Sequence, residues 1–222
     1  MPGGEGRIVV VDYHKGNLRS VERALAEVGV SVVVSDEARD VDGAAGVVLP
    51  GVGAFEDAMG QLLASGQAQS IVAAIGRGVP FLGICLGMQL LFSRGSERAP
   101  ESSNWGGEWV PGLGVLEGSV TRLESGRLKV PHVGWDQAHL SVLGRTCPLL
   151  MDVPEGANFY FTHSYALAED VDDDVVAART HYARSFASAV WSGNVFGLQF
   201  HPEKSSRAGR QVLTNFVRIV RG

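Results

Sequence analysis

Short apolar runs alternating with amphipathic stretches organise the first half of the chain. Residues 8–11, IVVV, form one such run, and after a polar loop Leu18, Val21, Leu25 and Val28 recur at helical spacing. A run of four followed by that period reads as strand, loop and helix, with Asn17 as the expected helix cap. Runs at 31–34 and 45–49 read as the second and third strands, and 57–77 as helix with a weak spot at Ser65 and Gly66. A fourth strand is expected at 80–83, then a tight turn and an apolar helix through Phe92. Such alternation predicts a parallel sheet covered on both faces.

Residues 93–112 show little periodicity and read as a loop around Asn104, Trp105 and Trp109. Beyond Gly114 the pattern changes. Segments 115–123, 128–135 and 158–165 are short, β-prone and separated by turn residues, which predicts further, partly antiparallel sheet. The acidic run at 169–174 reads as a solvated turn without calcium-ligand spacing. Residues 186–191 and 195–200 read as a hairpin, and 211–220 as a closing helix.

Composition narrows the class. A chain of 222 residues that is 45% hydrophobic suits a single α/β domain over residues 1–222, with 1–6 expected to be a flexible extension. A formal charge of -5 and a pI near 5.7, without a Lys/Arg-rich run, argue against a nucleic-acid partner. The two cysteines, Cys85 and Cys147, form no disulfide framework, so free thiols in a reducing compartment are expected. The opening residues lack a signal-peptide core and the first apolar run is too short to span a bilayer, so a cytoplasmic protein with no membrane role is expected.

Cys85 carries the first chemical signal. It lies between Gly83 and Gly87 at a predicted strand-to-helix bend, where a thiol can project from the scaffold and helix N–H groups favour an anion. A small core hydrophobe is the bland alternative. Gln89 lies one helical turn on and could bind a polar substrate or merely face solvent. The Pro50-Gly51-Val52-Gly53 turn could aim a backbone N–H from Val52 or Gly53 at a developing oxyanion. His201 and Glu203 are two apart and would project to one side of an extended segment, giving a base and its orienter. The six histidines are scattered without HExxH or HxxxH spacing, so no metal site is expected.

PGVGAF at 50–55, GICLGMQLLF at 83–92 and FHPEKS at 200–205, in this order, resemble the class I, or triad, glutamine amidotransferases. That resemblance implies Cys85 as nucleophile, His201 as base and Glu203 as its orienter, with oxyanion donors at Gly53 and Leu86. It further implies a glutamine site including Gln89, Ser164, Tyr165 and Gly51, no cofactor, and a flavodoxin-like three-layer αβα fold. Within the family, DYHKGNLRSV at 12–21, KVPHVGW at 129–135 and NFYFTHSYA at 158–166 look like the glutaminase subunits of imidazole glycerol phosphate synthase. The likeness implies L-glutamine as substrate and a heterodimer with a (β/α)8-barrel cyclase, which receives ammonia and forms imidazole glycerol phosphate and AICAR in histidine biosynthesis. Asn17, Arg23, Trp135, Tyr160 and Lys204 are then interface or gating residues. One departure stands out: His14 occupies a position where that subgroup usually has glycine.

Overall fold

The computed structural model describes residues 6–14, 16–98, 105–124, 126 and 128–222. The expected extension at 1–6 and Asn104 in the 93–112 loop therefore lie largely outside the described residues. The first half runs β1 (Ile8–Val11), α1 (Leu18–Glu27), β2 (Val32–Ser35), α2 (Ala38–Asp42), β3 (Gly46–Gly51), α3 (Phe55–Ala64), α4 (Gln67–Gly76), β4 (Phe81–Cys85) and α5 (Leu86–Gln89). Then come β5 (Phe92–Gly95), β6 (Val110–Pro111), β7 (Leu116–Arg122), β8 (His132–Leu140), β9 (Ala157–His163) and β10 (Tyr165–Leu167). The chain closes with β11 (Val176–His181), β12 (Ser185–Ser192), β13 (Val195–Leu198) and α6 (Ser206–Arg221).

The main sheet has the order β2-β1-β3-β4-β13-β12-β11-β8-β9, parallel from β2 through β13 and antiparallel beyond. Period-two alternation divides the apolar strand residues between two cores. Ile8 and Val10 pack in one core with Val21 and Leu25 of α1 and Val212 and Phe216 of α6. Val9 and Val11 belong to the other, with Phe55, Leu62 and Ile71 of α3 and α4. Helices on both faces of a mixed sheet make this the three-layer α/β fold expected. A smaller sheet, β10-β7-β5-β6, adjoins it.

Several boundaries differ from the sequence reading. The helix does not reach Phe92: α5 ends at Gln89, and Phe92 starts β5. The carbonyls there are taken by a distant segment, with Leu113 N donating to Leu90 O at 2.8 Å and Val115 N to Leu91 O at 2.9 Å. Nonlocal pairing has overridden helical periodicity, and 93–112 accordingly contains β5 and β6 rather than loop alone. The fourth strand runs through to Cys85. Asn17 begins α1 without a side-chain capping bond. The closing helix starts at Ser206, and α2 is too short to show a period. His14 keeps the backbone a glycine would favour: its φ is 64°, with its N–H donating to Asp12 Oδ1 at 2.7 Å.

The glycines around Cys85 are required by close approach. A Cβ on Gly87 would overlap the Leu49 carbonyl oxygen of β3, and one on Gly83 would run into the Gly87 backbone. Gly87→Ala is expected to cost about 3 kcal/mol and lower Tm by ~10 °C, read by thermal unfolding. Gly76→Ala, where a Cβ meets nothing within 4 Å, should leave Tm unchanged or slightly raised.

Candidate active site

Cys85 ends β4 with φ 55° and ψ -109°, a strained conformation for a side-chain-bearing residue, and it is 5% exposed. The strand stops abruptly there and α5 begins at the next residue, so the thiol sits at a bend rather than within a ladder. β13 lies parallel to β4, with Gly197 opposite Gly83 and Leu198 opposite Ile84. The continuation of β13, residues 199–201, therefore runs past the thiol.

His201 and Glu203 meet there. Nδ1 of His201 is 2.8 Å from Glu203 Oε1, and the two side chains are 4% and 2% exposed. Their approach differs from the extended arrangement expected, because Pro202 opens a 3-10 turn over Pro202–Lys204. Ser205 fixes that turn: its hydroxyl donates to His201 O at 2.6 Å and accepts from Tyr160 N at 3.0 Å. Burial works against a charged His201, but Cys85 and Glu203 beside it prevail and push its pKa up to about 10. Nε2 is buried without a hydrogen-bond partner. Cys85 is thus close enough to favour the imidazolium, although no hydrogen bond of ordinary length links the two, a looseness common in substrate-free sites.

A cavity of about 430 Å³ opens beside the thiol. Among its lining residues are Val52, Gly53, Cys85, Leu86, Gln89, Ser164 and Tyr165, all anticipated from the sequence. Gly53 has φ 99°, a left-handed backbone that suits glycine. Gly51 is not among the lining residues; it lies opposite Cys85 in the β3–β4 ladder, against the Tyr13 hydroxyl. Gln89 is buried rather than solvent-facing, with Nε2 donating to Tyr165 O and to Gln199 Oε1, both at 2.9 Å. That leaves its Oε1 for a ligand.

Trp135, Tyr160 and Lys204 come together near His201. The two aromatic rings meet edge-on at 6.2 Å, and Lys204 Nζ lies 5.6 Å over Tyr160. Asn17, just before α1, and Arg23 on it are exposed; α1 packs against the turn carrying Glu203, and Arg23 is 3.8 Å from Glu27.

Four residues at the site were not anticipated. Glu97 lines the cavity; burial pushes its pKa up to about 7, opposed by the Phe55 N–H and helped by Asp57. Its segment has no periodicity to announce it. Gln199 donates from Nε2 to Cys85 Sγ at 3.6 Å. A glutamine inside the apolar run VFGLQF was the available signal. His163 lines the cavity and is bonded to buried His132 at 3.2 Å. No group of three or more His, Cys, Asp or Glu side chains among the described residues could hold a metal ion.

Comparison with known proteins places the chain in a family. The chain matches the family model described as glutamine amidotransferase class-I over residues 9–220. It belongs to that family. It is 47% identical over 214 residues to a Moorella thermoacetica protein named imidazole glycerol phosphate synthase subunit HisH, covering 96% of this chain and 95% of that relative. A Synechocystis protein of the same name is 44% identical over 218 residues, covering 97% of each. Among solved structures, PurLQS from Thermotoga maritima superposes with TM-score 0.71 at 22% identity, covering 97% of this chain and 99% of that one. The glutaminase domain of Trypanosoma brucei CTPS, solved with bound acivicin, gives 0.66 at 17% identity, covering 97% and 93%. At these identities the structural likeness speaks to the fold alone.

In this amidotransferase, His163 makes a measurable demand on pH. Burial first, and the neighbouring cations after it, hold its pKa down to about 3, against the pull of the Tyr165 carbonyl. Burial also lowers His132, opposed by Asp136. Below an ordinary histidine value of about 6.5 the unfolded chain takes up a proton that folded His163 refuses, so stability falls as pH drops. Between pH 6.5 and 4 His163 should account for a loss of about 3 kcal/mol in urea unfolding. His163→Asn, which keeps a donor for the Tyr165 carbonyl, should flatten that limb; parallel profiles would refute the assignment.

Proposed function

We propose that this chain is the glutaminase subunit of an imidazole glycerol phosphate synthase. It hydrolyses L-glutamine to glutamate and ammonia and delivers the ammonia to a cyclase subunit that forms imidazole glycerol phosphate and AICAR in histidine biosynthesis. Near-full-length likeness to chains named HisH carries the reading. The approach of His201, bonded to Glu203, to Cys85, which lines the cavity, supports its chemistry.

In this mechanism His201 holds the proton of the Cys85 thiol and Glu203 holds the imidazolium in place, so the thiolate attacks the side-chain carboxamide carbon of glutamine. The oxyanion accepts from the backbone N–H groups of Gly53 and Leu86, with Val52 in the same turn; each donor is worth roughly 3 kcal/mol at the transition state. His201 then protonates the leaving ammonia, and water, deprotonated by the same imidazole, releases glutamate from the Cys85 thioester. The ammonium and carboxylate ends of glutamine meet Gln89 Oε1, Glu97, Ser164 and Tyr165, with Gly51 shaping the turn below. The chemistry needs no cofactor in this chain.

The cyclase partner is a (β/α)8 barrel in a heterodimer. Val133 and Trp135, 56% and 53% exposed, sit two apart on β8 and present apolar surface beside Tyr160 and Lys204. Asn17 and Arg23 extend the same contact region, and the exposed turn at Val52 and Gly53 is open to adjustment by the partner. Among the described residues no helix is long and apolar enough to cross a membrane, and the reaction belongs in the cytoplasm.

Cys85→Ala should lower glutaminase turnover by about 10⁴-fold or more while circular dichroism and capture by the cyclase stay as in wild type. Retained ammonia release would refute the nucleophile. The wild-type chain alone should hydrolyse glutamine weakly, with a large rise when cyclase and its nucleotide ligand are added; full activity without the partner would refute partner control and leave the triad standing.

A further inference from the structure

A buried polar chain connects strand β8 with the thiol, and its hydrogen bonds fix which atom faces the sulfur. The Tyr165 carbonyl can only accept. His163 Nδ1 lies 2.8 Å from it, so that nitrogen carries a hydrogen, and the neutral ring presents a bare Nε2 to the His132 Nδ1–H at 3.2 Å. The same carbonyl accepts from the Gln89 side chain, which must therefore turn its NH₂ end towards it. The second hydrogen of that NH₂ meets Gln199 at 2.9 Å, which requires an oxygen there. Gln199 is fully buried, and its backbone N–H is anchored on Ser188 O at 2.9 Å. With its oxygen so committed, its NH₂ is left facing Cys85 Sγ at 3.6 Å.

The opposite rotamer of either amide would place two oxygens against each other in a buried site, a costly contact. Neither end of the Gln199 amide is free to exchange. We propose that Gln199 is a further catalytic residue: it donates a hydrogen bond to the Cys85 sulfur, strengthens that bond as the sulfur becomes a thiolate, and so favours the nucleophilic form. A donor to the charged form of a group favours that form, and the effect is larger where water is excluded. Gln89 acts through Gln199 as a positioning residue, because its NH₂, turned to the Tyr165 carbonyl, sets the sense of the Gln199 amide. The proposal rests on Cys85 being the nucleophile.

The test is the pH dependence of Cys85 alkylation by iodoacetamide in the intact chain, with peptide mass spectrometry separating Cys85 from Cys147. Gln199→Met keeps the volume and removes the donor; Gln199→Glu keeps the shape and offers oxygen in its place. The midpoint of the alkylation profile should rise by about one pH unit in the Met variant and further in the Glu variant. An unmoved midpoint in either variant, with a Tm within a few degrees of wild type, overturns the proposal even if glutaminase activity falls, since a packing role lowers activity without moving the profile. Should one variant not fold, the other decides. Failure of the nucleophile reading shows separately, as ammonia release retained by Cys85→Ala.

Discussion

The parallel pairing of β13 with β4, with Gly197 opposite Gly83 and Leu198 opposite Ile84, sets the register in which a thiol ending one strand and an imidazole following the other can meet. A slip by one residue would turn every side chain to the opposite face. β4 gains its freedom to bend from Gly83 and Gly87, which let α5 start hard against the β3 backbone. The strain held at Cys85 is supported by that packing, because the residues before and after the bend have no room to relax.

Two histidines close to this thiol are driven to opposite states by their surroundings. His201 is held towards the imidazolium by Cys85 and Glu203 despite burial, whereas His163 is kept neutral by burial and by cations that include His201. Separated proton affinities give the two rings separate tasks. One can carry and return a proton; the other is a fixed donor to the Tyr165 carbonyl and acceptor from His132 that holds the 163–165 segment. From His132 through His163, Tyr165 and Gln89 to Gln199 each contact sets a donor against an acceptor, which is the condition for a buried polar chain to add definition instead of cost.

Much of this was legible from local pattern. Short continuous apolar runs announced the parallel strands and the weak spot at Ser65 and Gly66 lies where α3 gives way to α4, while the pairing of thiol and imidazole was implied by the family resemblance that GICLGMQLLF and FHPEKS carry. What was not legible depends on partners distant in the chain. The end of α5 is set by residues 113–116 capturing the carbonyls of Leu90 and Leu91. The His201–Glu203 bond is made over a 3-10 turn held by Ser205 and β9, where spacing alone had indicated extension. Glu97 lies where no period exists. Gln199 was visible as a polar residue in an apolar strand, but its use follows only from the amide sense imposed by Tyr165. His14 illustrates the converse: an unexpected side chain occupies the left-handed backbone, helped by the adjacent Asp12 carboxylate.

In the proposed reaction, glutamine chemistry takes place on the Cys85 sulfur. The most direct test is to incubate the chain and its cyclase with a glutamine analogue bearing an electrophilic carbon at the amide position, then locate the adduct by peptide mass spectrometry. One adduct is expected, on Cys85, with protection by L-glutamine and none on Cys147. An adduct elsewhere, or no adduct in an assembled and folded complex, would contradict it.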